Sequence, residues 1–146
     1  MLKGISPLIS PALIKALCEM GHGDELVIAD GNFPSESIGK NAIVVRADGH
    51  GAAEILDAVL ALIPLDAYVE KPVALMEVVP GDTCPTPEIW ATYQDILKKH
   101  EPEHCEIEMT ERFAFYERAK GAYLIIATGE TAIYANVLLK KGVVKA

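Results

Sequence analysis

The sequence has few of the features that mark several specialised classes of protein. Its three cysteines, Cys18, Cys84 and Cys105, are an odd number and form no CxxC motif. This argues against a disulfide framework or a zinc site and favours a reducing, cytoplasmic compartment. No stretch reaches about 18 uninterrupted apolar residues. Pro7 and Pro11 also interrupt the apolar amino terminus, so we expect neither a membrane span nor a signal peptide.

Positive charge is also scarce. Thirteen lysines and arginines stand against 21 aspartates and glutamates, which gives a net charge of −8. Because contacts to phosphate groups need a basic surface, we expect no nucleic-acid partner. The sequence contains no GxGxxG, P-loop or GxSxG motif, so nothing in it indicates nucleotide binding or acyl transfer. A neutral polar ligand is compatible with this acidic balance.

What is present indicates an ordinary globular domain. Hydrophobic residues make up 51% of the 146 residues and charged residues 23%, so we interpret residues 1–146 as a single domain. Helical and strand-like stretches alternate, which predicts an α/β layered domain with a largely buried sheet. The predicted helices cover 10–21, 51–64, 87–100 and 112–122; the predicted strands cover 25–30, 42–49, 72–79, 105–112, 123–128 and 134–144; a turn covers 31–37 and a loop 80–87.

The first predicted helix has clear signals at both ends. Ser10 is a suitable cap, Pro11 suits the first helical position and Gly21 suits the exit. His22 then stands between Gly21 and Gly23, where the chain turns into a strand. The glycines allow close approach of a ligand, and histidine can transfer protons near neutral pH. Taken alone, the triplet fits either a proton-transfer site or a plain turn at the end of a helix.

Three polar residues near strand ends are candidates for binding a ligand. Asp30 closes the strand that begins after His22, so the usual rise per residue places the two residues ~20–25 Å apart. Tyr134 and Asn136 are expected on the same side of an extended strand, where a phenol and a carboxamide can hold hydroxyl groups. The plain alternatives are a turn-forming aspartate and the end of an edge strand.

A fourth candidate, Arg112, precedes the aromatic cluster FAFYER. An arginine beside aromatic side chains suits sugar binding, although it can equally form a surface ion pair. We expect Phe113 and Phe115 to pack in the core. Tyr116 is then the aromatic residue of this cluster that can carry a hydroxyl group into a pocket.

Several stretches together resemble one known family over almost the whole chain. They are LKGISPLISPALIKALCEMGHGDELVIADGNFP, VVRADG, ERFAFYERAKGAYLIIATGE and YANVLLKKGV. The combination is similar to the fucose mutarotase and D-ribose pyranase family, often called the RbsD/FucU family. The blocks RFAFYERA and VRADG are more similar to the L-fucose branch than to the ribose branch.

The resemblance implies a three-layer α/β/α domain with a mixed β-sheet. It also implies a homodecamer of two pentamers, or a similar ring, in which neighbouring subunits complete each site. Such sharing would bring together residues that lie far apart within one chain. His22 matches the position of the family's proton donor. The positions that match the family's sugar-binding residues are Asp30, Arg112, Tyr134, Ala135 and Asn136.

The activity that the resemblance implies is interconversion of the α and β anomers of L-fucose. The cyclic hemiacetal opens, the freed aldehyde rotates, and the ring closes on the other face. His22 would deliver a proton to the ring oxygen, and our own hypothesis is that water or Tyr116 accepts the anomeric proton. This chemistry requires no metal, nucleotide or covalent intermediate. Two alternatives stay open, a D-ribose pyranase and a non-catalytic sugar-binding or regulatory ring.

Overall fold

The computed structural model describes residues 1–84 and 86–146. The predicted loop 80–87 includes Pro85, which lies outside the described residues. No helix in the described ranges is long and apolar enough to cross a membrane. The elements in chain order are α1 (Pro11–Glu19), β1 (Glu25–Ala29), α2 (Ser35–Ile38), β2 (Ile43–Ala47), α3 (Ala52–Leu60), β3 (Val73–Met76), α4 (Ile89–His100), β4 (Ile107–Thr110), α5 (Arg112–Lys120), β5 (Leu124–Thr128) and β6 (Val137–Lys140).

The strands form one mixed sheet in the order β2-β5-β1-β6-β3-β4. Strand β6 is antiparallel to both of its neighbours, whereas the other neighbouring pairs are parallel. Strands β1 to β5 therefore all run in one direction. Their carboxyl ends lie at the same edge of the sheet as the amino end of β6, and we call this the carboxyl edge. The opposite, amino edge carries the start of β1.

Helices cover both faces of the sheet, which confirms the three-layer α/β/α arrangement. Leu26 and Ile28 of β1 belong to the core that includes buried residues of α1, α3 and α4. Val27 and Ala29 belong to the core that includes buried residues of α5. This alternation follows from the strand geometry, in which successive side chains point to opposite faces. Because both faces are buried, the strand is apolar throughout.

The predicted first helix is confirmed, although it is shorter than the predicted range. The Ser10 hydroxyl caps the helix as predicted. The helix ends at Glu19 with Met20 as its C-terminal cap, so Gly21 is the first residue beyond it, but Gly21 does not take the left-handed conformation usual for a glycine there. The N–H of Gly21 donates instead to the Asp24 carboxylate at 2.8 Å. Gly23 takes the left-handed conformation of this turn, with φ of 85°, a conformation that glycine adopts without steric cost.

The predictions for the aromatic cluster and for the last strand need correction. Phe113 is 66% exposed, so its expected place in the core is wrong, whereas Phe115 is fully buried. The two residues are separated by roughly 200° around the axis of α5, so they lie on opposite faces. The strand predicted over 134–144 is confirmed only for Val137–Lys140.

The residues before β6 do not form the expected extended strand. Tyr134 has a left-handed backbone with φ of 55°, which is uncommon for a residue with a side chain. The prediction that Tyr134 and Asn136 share one face of a strand is therefore wrong. The turn predicted over 31–37 is also partly replaced, because Ser35–Ile38 forms the short helix α2 directly after Pro34.

Candidate functional site

A cavity of about 310 Å³ opens at the carboxyl edge of the sheet. Four segments form its walls, namely those that follow β1, β3 and β4 and the one that precedes β6. The four strands are consecutive in the sheet, in the order β1-β6-β3-β4. The ends of these strands that carry the four segments lie at the carboxyl edge, so the topology brings the segments together. Strand ends of this kind are common places for ligands in α/β folds. The lining residues are Asp30, Asn32, Phe33, Met76, Val79, Asp82, Arg112, Tyr116, Ile133, Tyr134 and Asn136.

Asp30 provides a carboxyl group, and the residue as a whole is 6% exposed. Its N–H donates to the side-chain oxygen of Asn136 at 2.8 Å, and its own carboxylate accepts from the N–H of Asn32 at 3.0 Å. Burial raises the pKa of Asp30 above its ordinary value, although the hydrogen bonds from Asn32 and other groups oppose this effect. The structure therefore places one firmly oriented carboxyl group in the wall of the cavity.

The segment 134–136 is held from behind by helix α4. The indole Nε1 of Trp90 donates to the carbonyl oxygen of Tyr134 at 2.8 Å. The hydroxyl of Tyr93 donates to the carbonyl oxygen of Ala135 at 2.5 Å. Ala135 itself is fully buried and does not line the cavity, so its contribution is to the path of the backbone. Trp90 and Tyr93 were not among the predicted site residues, because nothing in the sequence indicates which backbone they contact.

Arg112 stands at the start of α5 and faces the same cavity. The central carbon of its guanidinium group lies 5.5 Å from the ring centre of Phe113 and 5.6 Å from that of Tyr116. Such distances correspond to cation–π contacts, which orient the planar guanidinium. The interaction with the Tyr116 phenol raises the pKa of Arg112, so the side chain stays charged. The aromatic cluster thus positions a permanent cation in the lining of the cavity that also contains the carboxyl group of Asp30.

The phenol of Tyr134 is fixed by the loop that follows β3. It donates to Oδ2 of Asp82 at 2.5 Å and accepts from the N–H of Val79 at 3.3 Å. Asp82 was not predicted from the sequence, where it falls in the loop 80–87. Its only sequence signal is that it follows the turn-forming dipeptide Pro80–Gly81, which is common in loops without any function.

His22 lies at the other edge of the sheet, just before β1. The expectation that His22 and Asp30 stand at opposite ends of this strand is therefore confirmed. The Nε2 atom of His22 lies 3.1 Å from Oδ1 of Asp66, and the histidine side chain is 46% exposed. Its ring centre lies 5.3 Å from that of Tyr68. Within one chain, His22 is not brought into the cavity.

Asp66 is a partner of His22 that sequence reasoning missed. Its side chain is only 3% exposed. Burial alone would raise the pKa of this carboxyl, but hydrogen bonds from the N–H of Tyr68 and from His22 outweigh burial, so the pKa is lowered. An ionised carboxylate on Nε2 fixes the orientation of the imidazole and leaves Nδ1 for other contacts. Asp66 follows His22 by 44 residues, and no spacing rule connects the two.

Comparison with known proteins agrees with this architecture. Residues 3–144 match the model of the RbsD / FucU transport protein family. The chain belongs to this family. The part of the chain that matches the RbsD/FucU family includes all the elements from α1 to β6.

Several members of the RbsD/FucU family are similar to this chain over nearly its full length. The L-fucose mutarotase of Actinobacillus pleuropneumoniae serotype 5b is 52% identical over 143 residues, which cover 98% of this chain and 97% of the relative. The crystal structure of FucU from Bifidobacterium longum has 62% identity and a TM-score of 0.94, covering 98% of this chain and 100% of the other. The fucose mutarotase of Streptococcus pneumoniae, solved in complex with L-fucose, has 49% identity and a TM-score of 0.92, covering 99% and 100%.

A more distant structure represents the ribose branch. RbsD of Bacillus subtilis, solved in complex with D-ribose, is 23% identical to this chain. Its TM-score is 0.72, and the match covers 99% of this chain and 100% of the other. This likeness shows a shared fold and no more.

Proposed function

We propose that this chain is a fucose mutarotase, which interconverts the α and β anomers of L-fucose by opening and closing the sugar ring. One observation carries the proposal. The predicted sugar-binding side chains of Asp30, Arg112, Tyr134 and Asn136 converge on one cavity, in a chain that is 52% identical to an L-fucose mutarotase. A carboxyl, a guanidinium, a phenol and a carboxamide together offer the donors and acceptors that sugar hydroxyls require.

The rest of the cavity wall supports L-fucose over D-ribose. Phe33, Met76, Val79 and Ile133 add an apolar part to the lining. L-Fucose is a 6-deoxy sugar and carries a methyl group that D-ribose lacks, so an apolar wall favours L-fucose. The relatives with about half of their residues identical are named for fucose, whereas the ribose-bound structure is 23% identical. A D-ribose pyranase is therefore the weaker alternative.

His22 is the proton donor in this proposal. Its Nε2 faces Asp66, so Nδ1 is the nitrogen that would approach the ring oxygen of the sugar. In the imidazolium form both ring nitrogens carry a proton, and His22 would deliver the Nδ1 proton to the ring oxygen and recover it when the ring closes. A positioned acid–base group of this kind contributes about 10²–10⁴-fold to a rate. Tyr116 lines the cavity and, with water, is the candidate acceptor of the anomeric proton.

The catalytic site is shared between subunits of a ring, for which a homodecamer is our expectation. Two observations support this. His22 and the cavity lie at opposite edges of the sheet, and among the described residues no histidine lines the cavity. The half-exposed His22 can then face the cavity of a neighbouring copy.

Magnetisation-exchange NMR between the α and β anomer signals tests the proposed activity. We expect the protein to accelerate exchange in L-fucose and not in D-ribose. His22→Ala should lose about 10²–10⁴-fold of this acceleration while its sedimentation is unchanged. His104→Ala, in the segment between α4 and β4, is the matched control and should leave the rate unchanged. Exchange in D-ribose alone would support the pyranase, and sugar binding without faster exchange would support a non-catalytic ring.

Subunit complementation tests whether the site is shared. His22→Ala keeps an intact cavity, and Asp30→Asn keeps an intact histidine. Asp30→Asn should mainly weaken sugar binding, and His22→Ala should lose proton transfer. When the two impaired variants are assembled together in equal amounts, random pairing should leave about a quarter of the sites with both groups intact. Assembly of each variant alone is the control. If the mixture is no more active than its components, His22 of one subunit does not act at the cavity of another, and the proposal of a shared site fails.

We also propose that residues 1–146 act as one domain and that the protein works in the cytoplasm. The six strands form one continuous sheet, which supports the first proposal. The free thiols of Cys18, Cys84 and Cys105 support a reducing compartment. A single cooperative unfolding transition, followed by two independent probes, is the expected behaviour of one domain.

A further inference from the structure

Asp82 and Tyr134 form a side-chain pair at the mouth of the cavity, between two segments that are far apart in the chain. The Tyr134 hydroxyl donates to Oδ2 of Asp82 at 2.5 Å, across a separation of 52 residues. Tyr134 is also held at its backbone, where Trp90 donates to its carbonyl oxygen. Its left-handed φ of 55° carries a steric cost for a residue with a side chain. A strained residue that is fixed at both ends indicates that the position of the phenol is important.

The Asp82 carboxylate is itself oriented by the tight turn in which it lies. The N–H of Asp82 donates to the carbonyl oxygen of Val79 at 3.1 Å, and Gly81 provides the positive φ of 87° that this turn requires. The second carboxylate oxygen, Oδ1, accepts from the N–H of Thr83 at 2.6 Å. Each oxygen of Asp82 therefore has its own partner, and Oδ2 is directed at Tyr134.

These contacts determine which hydrogen-bonding role the phenol has left. The hydrogen bond from Tyr134, followed by that from Thr83, lowers the pKa of Asp82, and the same contact raises the pKa of Tyr134. The carboxylate is thus ionised and the phenol keeps its proton, which is directed at Asp82. The N–H of Val79 approaches the phenolic oxygen at 3.3 Å, which is longer than a usual hydrogen bond. The phenolic oxygen is an acceptor as well as a donor, so it can accept a hydrogen bond from a sugar hydroxyl that approaches from the cavity.

We propose that Asp82 is a positioning residue of the sugar site, which holds Tyr134 so that its phenolic oxygen accepts a hydrogen bond from a sugar hydroxyl. The nature of the sugar rests on the proposed function above. Asp82 acts through Tyr134 in this arrangement. The hydroxyl bound there must be a donor, so a sugar with fluorine at that position binds more weakly even though fluorine has a similar size.

A double-mutant cycle tests whether Asp82 acts through Tyr134. We expect Asp82→Asn and Tyr134→Phe each to raise the KM for L-fucose about tenfold, the effect of one hydrogen bond, with a smaller change in kcat. The double variant should be no worse than Tyr134→Phe. Asp95→Asn, an exposed acid on α4, is the matched control. Additive effects would mean that Asp82 binds the sugar itself, and an unchanged KM in Asp82→Asn would also overturn the proposal.

Alkaline titration provides a readout that needs no sugar. The ultraviolet difference between the wild type and Tyr134→Phe isolates the ionisation of Tyr134. In the Asp82→Asn background, this ionisation should occur at lower pH, because the neighbouring negative charge is gone. Ionisation at the same pH in both backgrounds would overturn the proposal. If the wild type shows no exchange in L-fucose, the proposed function fails, whereas this titration still decides whether Asp82 controls Tyr134.

Discussion

The side-chain oxygen of Asn136 accepts a hydrogen bond from the N–H of Asp30 at 2.8 Å, and both residues are buried. They directly flank the neighbouring antiparallel strands β1 and β6, whose last paired residues at this edge are Ile28 and Val137. Asn136 therefore supplies a side-chain acceptor just beyond the point where strand pairing ends. This contact joins two walls of the cavity and satisfies a buried donor that strand pairing leaves open.

Replacing Asn136 by alanine removes the acceptor and leaves the N–H of Asp30 buried and unpaired. We expect Asn136→Ala to lower the free energy of unfolding by about 1–3 kcal/mol, which is the cost of an unsatisfied buried donor. Urea unfolding measures this loss. Asn41→Ala, at an exposed asparagine, should stay within about 0.5 kcal/mol of the wild type. Equal stability of the two variants would contradict the structural role of Asn136.

Asp30→Asn should change the dependence of stability on pH. Burial raises the pKa of Asp30 in the folded protein above the value of about 3.9 in an unfolded chain. Between these two values the folded state binds more protons, so this group lowers stability as the pH rises. The side chain of asparagine does not titrate in this pH range, so it removes this pH dependence. Its amide oxygen can still accept the hydrogen bond from the N–H of Asn32.

Thermal unfolding from acid to neutral pH measures this difference. The variant should gain in melting temperature relative to the wild type as the pH rises above about 4, and the gain should level off above the folded pKa. Glu103→Gln, in an exposed loop, serves as a control for loss of a carboxylate. A gain that grows toward acid pH instead would show that the Asp30 carboxylate is stabilised in the folded state.

Asp66→Asn should impair catalysis without affecting the cavity. The carboxylate of Asp66 contacts Nε2 of His22, so its loss removes the group that selects the tautomer and orientation of the ring. We expect kcat for anomer exchange to fall at least about tenfold, a part of the total acid–base contribution, while KM changes little. Nitrogen-15 shifts of the neutral His22 ring, the form left after proton donation, should show its proton on Nε2 in the wild type and a mixture of tautomers in the variant. Unchanged nitrogen-15 shifts together with an unchanged kcat would show that Asp66 does not orient His22 for catalysis.

Local patterns predicted the fold class, whereas the set of candidate site residues came from the family resemblance. Alternating helices and apolar strands indicated the α/β class, and the length of β1 correctly separated His22 from Asp30. The left-handed conformation of Tyr134 could not be predicted, because no glycine or asparagine marks that position. The contact between Asp66 and His22 was equally inaccessible, since it depends on how the chain after α3 returns to the amino edge of the sheet. Tertiary packing determines such contacts, and the local sequence carries no signal for them.

The apolar part of the cavity predicts discrimination at carbon 6 of the sugar. L-Galactose differs from L-fucose by one hydroxyl group on the methyl carbon, and Val79 is one of the apolar residues that line the cavity. Apolar pockets reject an added hydroxyl by up to about 10²-fold, because the hydroxyl loses its hydration without finding a partner. We therefore expect kcat/KM for anomer exchange to be about 10–10²-fold lower for L-galactose.

Val79→Thr tests which wall is responsible, because threonine has nearly the volume of valine but adds a hydroxyl group. This variant should lower the ratio of kcat/KM for L-fucose to kcat/KM for L-galactose, mainly by raising kcat/KM for L-galactose. Val143→Thr, at an exposed valine beyond β6, is the matched control and should preserve the ratio. If kcat/KM of the wild type is the same for L-fucose and L-galactose, the apolar wall does not contact carbon 6. A normal preference in Val79→Thr would instead assign the contact to other apolar residues of the cavity, such as Phe33 and Met76.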